Sequence, residues 1–250
     1  MEGLERIKAI AFDADDTLWV NETLFRDTED RFCDWVSAYL PPEEARARLE
    51  AVEERNMAAY GYGIKPFTLS LVEAALEISR GQLPPETIQA IIDNGKRMLE
   101  APVENLPGVP EVLRRLNGHY RLVVATKGDL HDQENKLARS GIAHHFAHVE
   151  VLSDKTVERY RALLERYDAP PDRFLMVGNS PRSDILPVLD LGARAVQVPY
   201  EVTWAHEHHE GEAHWPVLAS IRDVVAYATG VPPGAERRER NAAMASGPSS

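Results

Sequence analysis

A short apolar run, Ile7 to Phe12, stops on three acids in four positions, Asp13-Ala14-Asp15-Asp16, and no comparable buried strand follows until Arg121-Leu122-Val123-Val124-Ala125. That gap constrains the fold more than any other feature. Apolar residues dominate both faces of the first run, as in a strand buried within a parallel sheet. Val149-Glu150-Val151-Leu152, Phe174-Leu175-Met176-Val177 and Ala195-Val196-Gln197-Val198 extend the series at ordinary crossover spacing. Helical spacings accompany them: Pro110 to Leu116, then Val157, Tyr160, Leu163, Leu164 and Tyr167, then Ile185, Val188 and Leu189. Strands alternating with helices predict an α/β fold, a doubly wound, mainly parallel, Rossmann-like sheet with helices on both faces.

The stretch between the first two strands, about a hundred residues, is far too long for a crossover connection. It holds four amphipathic segments. Leu24, Phe25, Phe32, Trp35, Val36 and Tyr39 mark the first; Ala45, Leu49 and Val52 the second; Phe67, Leu71, Val72, Ala75 and Leu76 the third; Ile88, Ile91, Ile92, Met98 and Leu99 the fourth. Proline pairs, Pro41-Pro42 and Pro84-Pro85, open two of them. Four helices with short joints predict an all-helical cap set into the core. The expected organisation is a core of residues 1–20 and 103–231, a cap of residues 21–102, and a disordered tail of residues 232–250 without periodicity.

The net charge of −12 repels polymeric nucleic acid and anionic lipid. An anionic substrate would therefore need a local positive site or a metal ion. No segment approaches a membrane span. Cys33 is the only cysteine, which excludes an intramolecular disulfide and a cysteine-based zinc site. The charged start, Met1 to Arg6, does not read as a signal peptide. A reducing, cytoplasmic location is expected.

In open α/β sheets, ligands bind beyond the carboxyl ends of the strands. The first strand ends in Asp13-Ala14-Asp15-Asp16-Thr17-Leu18-Trp19, where clustered acids repel one another unless a cation or an anion-transfer chemistry uses them. The second ends in Thr126-Lys127-Gly128, a hydroxyl and backbone donors suited to a phosphate oxygen. After the third comes Asp154-Lys155-Thr156, a lysine at a helix start, where the macrodipole opposes it and an anion would compensate. The fourth ends in Gly178-Asn179-Ser180-Pro181-Arg182-Ser183-Asp184, which supplies another carboxylate. Each alone also reads as a turn, a cap or a surface charge, the first least readily. Together, at one sheet edge, they read as a site.

With these motifs the chain, from Ile7 to about Ala228, resembles the haloacid dehalogenase superfamily, in its phosphatase branch with a helical cap after the first strand. The resemblance implies Asp13 as nucleophile, Asp15 as general acid/base, Thr126 as the hydroxyl holding the phosphoryl group, and Lys155 as the lysine of the third motif. It also implies Mg2+, held by the Asp13 carboxylate, the Asp15 main-chain carbonyl and Asp184. The common pattern begins its fourth motif with Gly-Asp, and here Gly178-Asn179 stands instead. Asn179 can hold a metal-bound water but adds no charge, so Asp184 carries more of the balance. Magnesium would bridge the mutually repelling carboxylate and phosphate ester, and oxygen ligands with water suit it.

Lys127, through nearby backbone N–H groups, and Lys65, in the glycine-flanked cap segment Gly61-Tyr62-Gly63-Ile64-Lys65, are further candidates for contacting substrate. Lys65 reads equally well as a solvated lysine at a helix joint. The stretch His206, His208, His209 and His214 is expected to be a polar loop rather than a metal site. His144, His145 and His148 are read as surface or loop-packing residues, and Trp19 and Trp35 as core.

The function expected is a magnesium-dependent phosphatase acting on a small phosphorylated metabolite, as a monomer or homodimer. Two alternatives stand beside it. One is a dehalogenase or phosphonatase of the same superfamily; the other is a non-catalytic phospho-accepting or signalling module. Asp15 argues against halide displacement, which has no use for a second acid there. Receiver modules lack an insert of this length.

Overall fold

Every residue of Ala9–Phe12 (β1) is buried, so this strand belongs in the middle of a sheet. In the computed structural model, which describes residues 7–201 and 213–230, β1 lies between Arg121–Lys127 (β2) and Phe174–Gly178 (β4), parallel to both. His148–Leu152 (β3) and Arg194–Gln197 (β5) form the edges, giving the order β3-β2-β1-β4-β5 with every pairing parallel. Phe12 is level with Val124 on one side and Val177 on the other. The polar residues that follow these strands therefore emerge at the same rim.

Alternate residues of β1 feed different layers. Ile10 and Phe12 pack with Leu113, Leu116, Leu122 and Val224. Ala9 and Ala11 pack with Tyr160, Leu163, Met176 and Val188. The helices behind these contacts are Val109–Leu116 (α5), Leu130–Arg139 (α6), Val157–Arg166 (α7), Leu186–Leu189 (α8) and Asp223–Thr229 (α9). A π-helical turn, Pro181–Ile185, runs directly into α8. Neither α6 nor α9 shows in the apolar spacing. The inward face of α6 is largely polar, with Asp132, Gln133 and Lys136 buried beside Leu137, and α9 has only seven residues.

The long insert folds as expected into four helices: Glu22–Val36 (α1), Pro42–Tyr60 (α2), Ile64–Ser79 (α3) and Pro85–Glu100 (α4). They enclose a core of their own, with Phe32, Val36, Leu49, Val52, Phe67, Leu71 and Ile91 at its centre. Proline occupies the first turn of α2 and of α4, where its missing N–H costs nothing. The chain leaves the core and returns to it side by side. Val20 N donates to Glu104 O at 3.0 Å, and Leu106 N to Leu18 O at 2.9 Å.

No helix among the described residues is long and apolar enough to cross a membrane. The expected tail, residues 232–250, lies outside the described residues, as do His206, His208 and His209. His214 is exposed.

Candidate active site

The loop after β1 begins with Asp13, whose N–H extends the sheet pattern by donating to Val177 O at 2.9 Å. Its carboxylate is buried. Lys155, delivered by the segment between β3 and α7, donates through Nζ to Asp13 Oδ1 and to Asp184 Oδ1, the latter at 2.6 Å. Asp184 has no exposed surface and sits on the π-helical turn after β4, where Ser180 N–H donates to its Oδ2 at 3.0 Å. The approach of that carboxylate to the strand end needs Gly178, since a Cβ there would lie 2.2 Å from Asp184 Oδ2. Tyr160 braces the turn from α7 by donating its hydroxyl to Ser183 O at 3.1 Å.

Two buried carboxylates thus face one ammonium. Burial pushes the Asp13 carboxyl up to about 7, with Lys155 pulling it down and Asp184 pushing it further up. Burial alone would lower the Lys155 ammonium, but Asp13 and Asp184 outweigh it and hold it well above its ordinary value.

Asp15 points into the same cavity and has other partners. Its Oδ1 accepts from Trp19 Nε1 at 2.8 Å and from Lys136 Nζ at 3.1 Å, and its Oδ2 accepts from Gln133 Nε2 at 2.7 Å. The third acid of the cluster does separate work. Asp16, in a left-handed conformation (φ 60°), accepts the N–H groups of Asn21 and Glu22 at 2.9 and 3.0 Å. It so satisfies the otherwise unpaired donors at the start of α1. Burial pushes its carboxyl up to about 7, against the pull of those two N–H groups.

Thr126, at the end of β2, is buried and lines the cavity. Its hydroxyl accepts from Gln133 Nε2 at 3.1 Å and donates to Lys127 O at 3.2 Å. The Lys127 ammonium bonds Ser183 Oγ at 2.9 Å and stands 4.6 Å from the ring centroid of Tyr62, which the cap contributes. Thr17 Oγ1 lies within reach of Asp13 Oδ2 (3.2 Å) and Asn179 Oδ1 (3.3 Å). Asp13, Asp15, Thr126, Lys127, Lys155, Asn179 and Asp184 therefore line one cavity, roofed by the cap through Phe25, Met57, Tyr62 and Phe67. Lys65 is placed differently. It pairs with Asp129 at 2.8 Å across the seam between cap and core, and it is not among the cavity-lining residues.

Lys136 and Gln133 are additions to the site that the motifs do not name, and Trp19, expected in the core or at the entrance, joins them through Asp15. Lys136 is buried and also donates to Asn21 Oδ1 at 2.8 Å, while pairing with Asp132 at 3.5 Å. A sequence signal did exist. Leu137 fixes the inward face of α6, and Gln133 and Lys136 share it at helical spacing.

The donor set suits a hard cation. It offers the Asp13 and Asp184 carboxylates and the Asn179 amide oxygen, all of them oxygen, with the Asp15 main-chain carbonyl expected from the sequence as a further ligand. One negative charge remains after Lys155 is counted. Among the described residues no three His, Cys, Asp or Glu side chains group to hold a metal by themselves, so an ion here would complete its shell with the carbonyl and water, as magnesium does.

The family model of the haloacid dehalogenase-like hydrolases matches residues 7–192. A glyceraldehyde 3-phosphate phosphatase of Methanothermobacter thermautotrophicus is 29% identical over 215 residues, covering 81% of this chain and 90% of that protein. A haloacid dehalogenase-like family hydrolase of Xanthomonas campestris has a similar structure, with TM-score 0.81 and 35% identity over 93% of this chain and 95% of that one. The fold of a 2-haloacid dehalogenase of Pseudomonas syringae also superimposes, with TM-score 0.61 and 20% identity over 90% and 98% of the two chains.

Proposed function

This chain belongs to the haloacid dehalogenase-like hydrolases, and on that premise we propose that it is a magnesium-dependent phosphatase of small phosphomonoesters, working through an aspartyl-phosphate on Asp13. The observation that carries this reading is the pair Asp13 and Asp15, two residues apart, sharing a cavity but held by different partners. Halide displacement needs the nucleophile alone. Phosphoryl transfer needs a second carboxyl to handle the leaving-group proton. The archaeal relative named as a phosphatase supports the same choice.

A carboxylate oxygen of Asp13 attacks phosphorus as the ester P–O bond breaks. Asp15 gives its proton to the departing alkoxide. Water then attacks the acyl phosphate, Asp15 takes a proton back, and inorganic phosphate leaves. Dividing the reaction this way replaces one hard displacement by two easier ones. Thr126 and Lys155 hold the transferring oxygens, and donors of this kind are typically worth about 10²–10³ in rate each. Trp19, Gln133 and Lys136 fix the direction of the Asp15 carboxyl. When bound by Asp13, the Asp15 carbonyl, Asp184 and an Asn179-held water, magnesium supplies positive charge that offsets the repulsion between nucleophile and phosphate.

The test is release of phosphate from p-nitrophenyl phosphate. Many turnovers are expected with magnesium, falling by at least about a hundredfold with EDTA and returning when magnesium is restored. A single round of labelling without release would favour a signalling module. Halide release from 2-chloropropionate without phosphate release would favour a dehalogenase.

Lys136→Met keeps the length of the side chain but removes the ammonium from Asp15 and Asn21. We expect kcat to fall by about tenfold to a hundredfold with KM little changed, because the lost contact orients the acid/base rather than the substrate. The pH–rate profile should move with it, and Lys136→Arg should recover part of the loss. A purely structural lysine would leave the profile where it was.

A further inference from the structure

Asn21 occupies the N-cap of α1, where an asparagine ordinarily turns its side chain onto the N–H groups of the first turn. It makes no such bond. Asp16 serves that end of the helix in its place, through the Asn21 and Glu22 amides. The Asn21 side chain crosses the seam instead, and its Oδ1 accepts from Lys136 Nζ at 2.8 Å.

Lys136 reaches acceptors on three separate elements. Asn21 from the bundle is nearest, Asp15 Oδ1 from the loop after β1 stands at 3.1 Å, and Asp132 Oδ2 on α6 itself at 3.5 Å. Asn21, Asp132 and Lys136 are all buried, so the ammonium divides itself among these partners away from competing water. Asp132 precedes Lys136 by four residues, the spacing at which an acid and a lysine pair within one helix unaided. Left to α6, the ammonium would settle on Asp132 and draw away from Asp15. The Asn21 oxygen pulls from the other side of the seam, and being neutral it adds no rival charge.

We propose that Asn21 is a positioning residue for the reaction: it holds the Lys136 ammonium toward Asp15 and away from Asp132, and so aims the Asp15 carboxyl. This rests on the phosphatase reading, in which Asp15 is the acid/base. Trp19 Nε1 and Lys136 Nζ both donate to Asp15 Oδ1, whereas Oδ2 accepts from Gln133 alone among the described residues. Two donors on Oδ1 leave Oδ2 as the oxygen that gives its proton to the leaving alkoxide and takes one back from water. If the ammonium swings to Asp132, Oδ1 loses one of those donors and the carboxyl is free to turn. The acid of the core is thus aimed by the first residue of the inserted bundle.

Asn21→Leu keeps the shape of the side chain and removes the acceptor; Asn21→Ala removes both. Each is checked for folding by Tm and assayed with magnesium on two esters. The phenolate of p-nitrophenyl phosphate leaves readily without a proton, and that of phenyl phosphate does not. Both variants should lower kcat/KM for phenyl phosphate by about tenfold, through kcat rather than KM, and the loss on p-nitrophenyl phosphate should be at least about threefold smaller. In the Lys136→Met background, adding Asn21→Leu should cost less than about threefold on phenyl phosphate, because the group that Asn21 steers is gone. Equal losses on the two esters, a loss carried by KM, or the full loss repeated in the Lys136→Met background overturns the proposal. So does failure of both Asn21 variants to fold, which would make Asn21 a residue that holds the helix. Should Lys136→Met not fold, the comparison of the two esters decides. A wild-type protein that turns over neither ester sinks the phosphatase reading and this one with it; an active wild type with any of the contrary outcomes sinks this one alone.

Discussion

Asp13→Asn should lose at least about 10⁴ in turnover of p-nitrophenyl phosphate while the protein stays folded. The amide has nearly the same shape as the carboxylate but cannot form the acyl phosphate. Nothing else in the cavity can replace it. Asp15 points along its three donors, and Asp184 is fully buried behind Lys155. The same change should leave stability intact or improve it. The wild-type protein buries two carboxylates against one ammonium, and the variant keeps one of each. Without divalent cations at pH 8, its Tm should equal or exceed that of the wild type. Residual turnover within tenfold of the wild type would remove Asp13 from its assigned role. A sharp drop in Tm would contradict the charge accounting.

Lys155→Met should fail in both respects. It strands Asp13 and Asp184 in the interior without a cation, and breaking a buried pair from one side costs about 3–5 kcal/mol. For a chain of this size that corresponds to a fall in Tm of roughly 10 °C. Turnover should drop by about 10²–10³, the usual worth of a donor to the transferring oxygens. The stability loss should depend on pH with a definite sign. Without the ammonium, burial and mutual repulsion hold both carboxyls above their unfolded values, so the folded state binds protons more tightly. The variant therefore regains stability as pH falls and loses it as pH rises. In the wild type the raised Lys155 ammonium contributes fully at every pH below its unfolded value near 10.5 and is lost only above that. The gap in Tm between the two proteins should widen from pH 5 to pH 8. A gap of constant size, or one that narrows, would show that the two carboxylates are not left facing each other.

The strands and the residues that end them were legible because both signals are local. An apolar run needs burial on two faces, and a polar residue where the run stops has left the sheet. Asp13, Thr126, Lys155 and Asp184 were found that way. The residues missed were those whose role depends on what faces them across the fold. Lys136 and Gln133 lie on a helix whose polar inward face gives no apolar spacing to read. Trp19 was read as core, and its ring is buried. Its single polar atom, aimed at Asp15, leaves no trace in spacing. Asp16 stands inside the acid cluster, but a left-handed backbone turns it toward the start of α1. Lys65 sat in a suggestive loop, and it reaches Asp129 on the far side of the seam.

The Asp16 contact bears on attempts to exchange parts between proteins of this type. The loop that carries Asp13 and Asp15 also grips the first turn of the helical bundle through the Asn21 and Glu22 amides. A chimera spliced between Asp16 and Asn21 keeps that grip only where the incoming loop turns the same acid onto those two amides; without it the bundle is held by its polypeptide joints and by seam contacts such as Lys65–Asp129 and Lys136–Asn21. Recombination should therefore take Asp16 through Glu22 as one cassette from a single parent.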